Sequence, residues 1–346
     1  MSRIVVIGGS FGAINALKLI LPSLPADFPA AILIATHIGA HSSILPEILA
    51  RRSALPVRHA TDGEPLLPGK VLLAPSDTHL TVAAEGKRIY ARLVHGPKEN
   101  HCRPAIDPLF RSAAAACGPG AIGVVLTGYL DDGTVGLQAI KARGGIAIVQ
   151  DPADAEAPDM PSSALRHVEV DRTLRVGAIA SALVELASAG PQQGGVQGGV
   201  NRGRAASGAA DWIDIENRLN SRDGDMEDLE KIGMRSALTC PECNGALWEL
   251  QLGGLTRYRC HTGHAFTARV LEAMQTTAVE DALWGAIRAL HEQERLFGKM
   301  GQQAQAIGDH KSAAEYLAKA AQAKAHSQAL RDVISASPLV VRPDPS

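Results

Sequence analysis

The chain has 346 residues and a formal net charge of −2, so no nucleic-acid footprint is expected over the whole protein. Hydrophobic residues make up 46% of the sequence, but no apolar run reaches about eighteen residues, so no membrane insertion is expected. The N-terminus has no signal-peptide pattern, and the five cysteines do not form an even disulfide framework, which together predict a cytoplasmic protein.

The first 190 residues alternate short apolar runs with segments of helical periodicity, such as 10–21 and 107–116. This alternation predicts an α/β fold, a doubly wound and mainly parallel sheet with helices on both faces. A hairpin is expected around residues 82–93, where Glu85-Gly86-Lys87 breaks the strand alternation. The apolar runs predicted as strands are residues 4–7, 31–35, 71–74, 122–126 and 146–149.

The remainder of the chain predicts further modules. Residues 191–210 are rich in Gly, Gln and Arg without apolar periodicity, which is typical of a flexible linker. Residues 211–267 combine a charged segment, predicted helical to residue 236, with a small zinc-ribbon-like Cys/His module. Residues 268–336 show helical periodicity interrupted at 301–309, which predicts a helical hairpin.

The turn after the first strand, Gly8-Gly9-Ser10-Phe11-Gly12, carries a hydroxyl at the start of a predicted helix. Helix N-termini favour negative charge, so both a bound phosphate and a serine nucleophile suit this position. The dinucleotide pattern Gly-x-Gly-x-x-Gly fails, because Ser10 stands at the second glycine and the second strand ends in Thr36-His37 without an acidic residue.

The same turn matches the Gly-x-Ser-x-Gly elbow of α/β-hydrolases, but that elbow normally follows several earlier strands. A different serine hydrolase needs a base and an orienting acid near Ser10. His37 ends the second predicted strand, and Asp131 and Asp132 follow another apolar run, so all could meet at one sheet edge. A loop histidine and a helix cap are the structural alternatives for these residues.

Several separated segments follow one another in a specific order and spacing. They are Ile7-Gly8-Gly9-Ser10-Phe11-Gly12, Thr36-His37, residues 73–79 (LAPSDTH), residues 100–110 (NHCRPAIDPLF), Leu126-Thr127-Gly128 with Asp132-Gly133, and Met160-Pro161. Together they resemble the catalytic domain of chemotaxis protein-glutamate methylesterases, over residues 3–188. In this resemblance Ser10 aligns with the nucleophile, His37 with the base and Asp132, directly before Gly133, with the triad acid.

The resemblance implies hydrolysis of glutamate methyl esters on the methylated cytoplasmic domain of chemoreceptors, with glutamine deamidation as an additional activity and no catalytic cofactor. It places Arg103, Thr127 and His79 in the cleft, with a salt bridge, a cap and a loop histidine as their structural alternatives. Tyr129-Leu130 replaces the Met-Gly common in the family, in a loop that supports the oxyanion. No N-terminal receiver domain is expected, since the catalytic strand starts at Arg3.

Other functions remain open at this stage. The same triad could serve a serine esterase or amidase with another substrate, a possibility that Tyr129-Leu130 raises. The chain could also be a non-catalytic signalling scaffold whose C-terminal part acts, although the intact Ser10, His37 and Asp132 argue against it.

The pattern Cys240-x2-Cys243-x16-Cys260-x3-His264 has the spacing of a closed, structural zinc site. His261 is an alternative fourth ligand, and a cluster of buried thiols without metal is the alternative for the whole group. The helical hairpin that follows could bind a signalling partner, self-associate or pack within the monomer.

Overall fold

The computed structural model describes residues 3–37, 43–189, 211–221, 223–252 and 254–336, so the predicted linker at 191–210 lies outside the described residues. The strands are β1 (Ile4–Gly9), β2 (Ala31–Thr36), β3 (Val57–His59), β4 (Val71–Leu73), β5 (His79–Glu85), β6 (Arg88–Val94), β7 (Ala121–Val125), β8 (Ile146–Gln150), β9 (Arg172–Leu174), β10 (Met234–Thr239), β11 (Ala246–Leu252), β12 (Leu255–Cys260) and β13 (Ala265–Thr267). The helices are α1 (Ala13–Ile20), α2 (Leu45–Ala50), α3 (Ile106–Cys117), α4 (Thr134–Ala142), α5 (Asp159–His167), α6 (Val176–Ser188), α7 (Trp212–Ser221), α8 (Met226–Ile232), α9 (Ala268–Ala306) and α10 (His310–Ala336).

A seven-stranded sheet in the order β3-β4-β2-β1-β7-β8-β9 forms the centre of the first part of the chain. All neighbouring strands in it are parallel, which confirms the predicted α/β fold. β1 lies between β2 and β7, so the strand order reverses there. Ligand sites of such sheets lie at the carboxyl ends of the strands beside this reversal.

Helices cover both faces of the sheet because β1 is buried on both sides. Ile4 and Val6 point into one apolar cluster, which α3 and α4 complete, and Val5 and Ile7 point into another, which α1 and α6 complete. A fully apolar strand is expected where both faces are covered. The predicted hairpin is confirmed as the antiparallel pair β5–β6.

The segment that contains the Cys/His pattern forms an antiparallel sheet in the order β10-β11-β12-β13, packed on α7 and α8. The prediction of helix up to residue 236 is wrong, because β10 begins at Met234, which pairs with Glu249. Gly233 marks the change, since a Cβ there would lie 2.8 Å from the carbonyl oxygen of Glu249. A strand partner that is distant in sequence therefore overrides local helical periodicity.

The chain divides into two compact units, one up to Leu271 and one from Glu272 onward. In the second unit α9 and α10 form a helical hairpin, with Arg331 Nη2 lying 2.9 Å from His291 Nε2. Gly308 lies in the break between the helices with φ of +79°. Within the described residues, every helix is too short or too polar to cross a membrane.

Candidate active site

Ser10 lies between the end of β1 and the start of α1, at the carboxyl edge of the sheet. Its amide donates to the carbonyl oxygen of Thr127 at 2.9 Å, which joins the turn to the chain after β7. Gly12 has φ of +78°, a conformation that glycine adopts without steric cost. The turn therefore holds Ser10 at the carboxyl ends of the neighbouring strands β1 and β7.

The structure brings the three predicted residues Ser10, His37 and Asp132 together. His37 follows β2 and Asp132 follows β7, and these strands flank β1. His37 Nδ1 lies 3.1 Å from Ser10 Oγ, and His37 Nε2 lies 2.7 Å from Asp132 Oδ2. A neutral imidazole that donates from Nε2 to Asp132 leaves Nδ1 free to accept the Ser10 hydroxyl proton.

The carboxylate of Asp132 is buried and accepts several hydrogen bonds. Oδ1 accepts from Asn100 Nδ2 at 2.9 Å and from the amide of Gly133 at 3.0 Å, and Oδ2 accepts from the amide of Ile106 at 2.7 Å. Burial raises the pKa of Asp132, but the hydrogen bond to His37 and these donors outweigh burial and lower the pKa below its usual value. Asp132 is therefore ionised at neutral pH.

The imidazole of His37 is 18% exposed, so solvent and substrate can reach it. Burial lowers the pKa of His37, but hydrogen bonds to Asp132 and to the Cys102 thiol outweigh burial and raise the pKa to about 10. The resting pair is thus imidazolium and carboxylate at neutral pH. Ser10 attack requires the deprotonated imidazole.

Three backbone amides belong to the two loops that meet at Ser10. Within the described parts of the chain, the amides of Phe11, Gly12 and Tyr129 donate no hydrogen bond, so they are available to an oxyanion. The absence of a side chain at Gly128 lets the loop that contains Tyr129 approach Ser10. A Cβ on Gly128 would lie 2.8 Å from Ser10 Cβ.

The two residues that depart from the family pattern shape this loop. Leu130 has φ of +63°, a left-handed conformation that is costly for a residue with a Cβ. The ring of Tyr129 lies 5.2 Å from that of Phe11, and both rings are half exposed. Together they form an apolar rim beside Ser10.

The other residues predicted for the cleft have structural contacts. Arg103 Nε and Nη2 donate to Asp77 at 2.9 and 2.7 Å. His79 is fully buried, with Nε2 lying 2.9 Å from the carbonyl oxygen of Pro97. Burial lowers the pKa of His79, which favours its neutral form. Thr127 supports the Ser10 turn through its carbonyl and lies 3.0 Å from the Phe11 oxygen through its hydroxyl.

Three residues around Asp132 were missed in the sequence: Asn100, Asp107 and Arg257. Asn100 and Asp107 belong to the segment 100–110 that carries the resemblance, which was the available signal. Arg257 has no local signal, because its role depends on contacts with residues more than a hundred positions away.

Four ligand atoms from Cys240, Cys243, Cys260 and His264 lie within 4.8 Å of one another. Cys243 Sγ lies 3.7 Å from Cys260 Sγ, and His264 Nδ1 lies 3.7 and 3.6 Å from the sulfurs of Cys240 and Cys260. A tetrahedral zinc ion with ordinary bond lengths requires separations of about 3.8 Å between sulfurs and about 3.6 Å between sulfur and nitrogen. The observed separations are close to these values, and of the two candidate histidines it is His264 whose ring nitrogen lies in the group.

Hydrogen bonds link a serine, a histidine and an aspartate in a row at the carboxyl edge of a parallel sheet. This arrangement is that of a serine hydrolase. Residues 5–183, just over half of the chain, match the family model described as CheB methylesterase. The chain belongs to this family.

Known proteins resemble the same part of the chain. Protein-glutamate methylesterase/protein-glutamine glutaminase 1 of Xanthomonas euvesicatoria pv. vesicatoria is 38% identical over 186 residues, 54% of this chain and 52% of that protein. Protein-glutamate methylesterase/protein-glutamine glutaminase 2 of Anaeromyxobacter dehalogenans is 44% identical over 185 residues, 53% of each protein. The chain thus spans about half the length of the curated relatives it matches.

The crystal structure of the Thermotoga maritima CheB methylesterase catalytic domain superposes with a TM-score of 0.52 at 36% identity. The match covers 54% of this chain and 99% of that chain. The fold of the first part of the chain is thus that of a methylesterase catalytic domain.

Proposed function

We propose that this chain is a protein-glutamate methylesterase that removes methyl groups from glutamate side chains in the cytoplasmic domain of chemoreceptors. The observation that carries the proposal is a pair of hydrogen bonds: Ser10 Oγ lies 3.1 Å from His37 Nδ1, and His37 Nε2 lies 2.7 Å from Asp132. Family membership and the names of the relatives support the substrate class.

In the proposed reaction, Ser10 Oγ attacks the ester carbonyl while His37 Nδ1 takes the hydroxyl proton. The resulting imidazolium is stabilised by Asp132, which remains ionised throughout. When the tetrahedral intermediate collapses, the bond to the methoxy group breaks and His37 returns the proton, so methanol leaves. Water then attacks the acyl-enzyme with His37 again as base, and free glutamate and Ser10 are regenerated.

The amides of Phe11, Gly12 and Tyr129 are the proposed donors to the negatively charged oxygen of the intermediate. Each such donor is typically worth about 3 kcal/mol of transition-state stabilisation. They are backbone groups, so the change from Met-Gly to Tyr129-Leu130 leaves their chemistry intact. The half-exposed rings of Phe11 and Tyr129 are then placed to contact the apolar part of the substrate segment.

Glutamine deamidation is a second candidate activity of the same site, because both relatives described above carry protein-glutamine glutaminase in their names. The amide carbonyl would undergo the same attack, and ammonia would leave in place of methanol. A receptor fragment with glutamine at the methylation positions separates the two activities, since it releases ammonia only if the second one is present.

The test of the proposed function uses a methylated receptor fragment and measures released methanol. Ser10→Ala should lower the rate at least about a thousandfold, because the nucleophile is lost. Ser23→Ala is the matched control, since Ser23 is exposed and, among the described residues, its hydroxyl bonds to the Leu19 carbonyl alone. Undiminished methanol release by Ser10→Ala would contradict the proposal.

We also propose a structural zinc ion held by Cys240, Cys243, Cys260 and His264. Four protein ligands close the site, so zinc would stabilise the Cys/His module and take no part in the hydrolysis. Purified protein should contain about one zinc per chain, and Cys243→Ser should lower both the zinc content and the melting temperature. Cys117→Ala, at a buried thiol outside the cluster, should keep the zinc.

The proposal includes a cytoplasmic location, where the receptor domain and free thiols are found.

We also propose a signalling partner that binds the C-terminal helices. Trp284 and Leu296 on α9 are 47% and 56% exposed, which supports a partner surface. Substitution of both by lysine should weaken the chemotactic response of cells while methanol release by the purified protein stays unchanged. An unchanged chemotactic response would contradict the proposed partner surface on α9.

A further inference from the structure

Six charged side chains form a buried ionic cluster beneath the candidate active site, and all six are fully buried. Their formal charges balance, which is what burial of ions requires. The α/β part contributes Glu99, Asp107 and Arg111, within the segment matched by the family model. Helix α7 contributes Glu216, and β12 of the Cys/His module contributes Arg257 and Arg259; all three lie beyond that segment.

Asp107 connects this cluster to the triad. Its Oδ1 accepts from the amides of Gly133 and Gly136 at 3.0 and 2.7 Å, and its Oδ2 accepts from Arg257 Nη1 at 2.8 Å. Asn100 Nδ2 lies 3.2 Å from this same Oδ2 and 2.9 Å from Oδ1 of Asp132. One amide group thus bridges the two carboxylates.

Several charges face Asp107 from the elements around it. Asp132 and Glu99 are negative, and Arg257 and Arg111 are positive. Of the described cations, Arg257 is the one that forms an ion pair with Asp107. Burial and Asp132 raise the pKa of Asp107 to about 6, against the opposing effect of Arg257 and Arg111. Asp107 therefore depends on Arg257 to stay ionised beside Asp132.

We propose that Arg257, supplied by the Cys/His module, is a positioning residue of the triad, because it keeps Asp107 ionised and Asp107 in turn holds the Asn100 amide group that orients Asp132. This inference rests on the proposed serine hydrolase function. It assigns to a segment outside the family match a part in completing the active site.

Loss of the Arg257 charge would leave two adjacent buried carboxylates without a cation paired to Asp107. Such a pair takes up one proton, since both carboxylates cannot be ionised in so small a space, and Asp107 receives it because its pKa is raised whereas that of Asp132 is lowered. A proton on Asp107 Oδ2 faces the Asn100 amide group and opposes the hydrogen bond that holds it, so Asn100 orients Asp132 less firmly. Activity then requires removal of two protons, one from His37 and one from Asp107.

The test measures the rate at which a fluorophosphonate labels Ser10, together with methanol release, across pH in the full chain. Arg257→Gln should slow both at neutral pH about tenfold or more, with little change in KM, and both rates should rise with pH as a two-proton process. Arg257→Gln with Asp107→Asn should return the pH profile to one proton, because no second carboxylate remains.

Arg259→Gln is the matched control from the same strand. Arg259 pairs with Glu99 and Glu216 and forms no ion pair with Asp107, so its loss removes one positive charge from the cluster but leaves the Arg257–Asp107 pair in place. A one-proton profile is expected for it. A one-proton profile for Arg257→Gln, or failure of Asp107→Asn to restore that profile, would overturn the proposal.

Folding and function are separated by further readouts. If Arg257→Gln is too unstable for kinetics, the double variant with Asp107→Asn should fold better than the single one, and equal instability would overturn the proposal. If the wild type is labelled at Ser10 but releases no methanol, the substrate assignment fails while labelling still tests Arg257. If the wild type is not labelled, NMR titration of His37 provides the test: two steps are expected in Arg257→Gln, and a single step would overturn the proposal.

Discussion

Asn100 donates a hydrogen bond from Nδ2 to Oδ1 of Asp132 at 2.9 Å, while its own Oδ1 accepts the amide of Thr267 at 3.1 Å. Asn100 has φ of +52°, so the loop holds it in a conformation that few side chains tolerate. The residue is buried and therefore fixes the orientation of Asp132 from behind.

We expect Asn100→Ala to lower kcat about tenfold with little change in KM, because Asp132 loses an orienting donor and His37 is held less firmly. Methanol release from a methylated receptor fragment measures both constants. Asn217→Ala is the control, since in the part of the chain that the structure describes Asn217 Nδ2 makes one long bond, to the Arg111 carbonyl at 3.4 Å. A rise in KM alone would show that Asn100 acts on substrate binding.

The raised pKa of His37 predicts that kcat/KM increases with pH from about pH 6 to about pH 9, as the imidazolium paired with Asp132 loses its proton. A profile that is flat over this range would show that His37 is already neutral in the resting protein. NMR titration of the His37 ring measures the same ionisation directly.

The same shift predicts how stability depends on pH. The folded pKa of His37 lies above the unfolded value of 6.5, so the contribution of its pair with Asp132 is complete below that value. It is lost as the pH rises towards about 10. The difference in unfolding free energy between wild type and His37→Gln, from denaturant titrations, should therefore shrink between about pH 6 and about pH 10. A constant difference would contradict the raised pKa.

Gly128 is predicted to tolerate no side chain. A Cβ would lie 2.1 Å from Met160 Sδ and 2.8 Å from Ser10 Cβ, so Gly128→Ala must displace the nucleophile or the loop. Methanol release should fall at least about tenfold, since misplacement of a reacting group is costly. Gly177→Ala in α6 is the control, because nothing lies within 4 Å of a Cβ there. It should keep full activity and gain about 0.5 kcal/mol of stability.

Substitutions at Leu130 are expected to rank in an unusual order of protein stability. Its left-handed backbone is strained by roughly 1 kcal/mol, and a β-branched side chain increases that strain. Leu130→Val should therefore destabilise the protein, whereas Leu130→Gly should be neutral or stabilising in thermal unfolding. Leu67, half exposed and without positive φ, provides the contrast, since Leu67→Gly should destabilise by about 1 kcal/mol. The opposite order at Leu130 would contradict the strain.

The sheet and the three predicted triad positions could be derived from the sequence by two kinds of signal. β1, β2 and β7 are continuous apolar runs; Ser10 and His37 directly follow β1 and β2, and Asp131 and Asp132 lie in the loop after β7. The choice of Asp132 over Asp131 came from the family resemblance. Strands β3 and β9 were not predicted, because three residues of mixed polarity show no periodicity.

Other features of the fold and the site could not be predicted from the sequence, because they depend on contacts between distant segments. Arg257 stands in β12 between polar neighbours, and only the fold shows that its side chain is fully buried. Likewise, the pairing of Met234 with Glu249 decides for a strand where local periodicity favours a helix. Both outcomes depend on partners that a local pattern cannot specify.

The ion pair between Asp107 and Arg257 also has a consequence in time, because 150 residues separate the two partners along the chain. At a synthesis rate of about 5–20 residues per second, the ribosome makes Asp107 roughly 8–30 s before Arg257. A nascent α/β part that folds in this interval encloses an acid whose counter-ion has not yet been made. The hydrolase would therefore emerge from the ribosome with its active site incomplete and acquire its full charge balance only once β12 is in place.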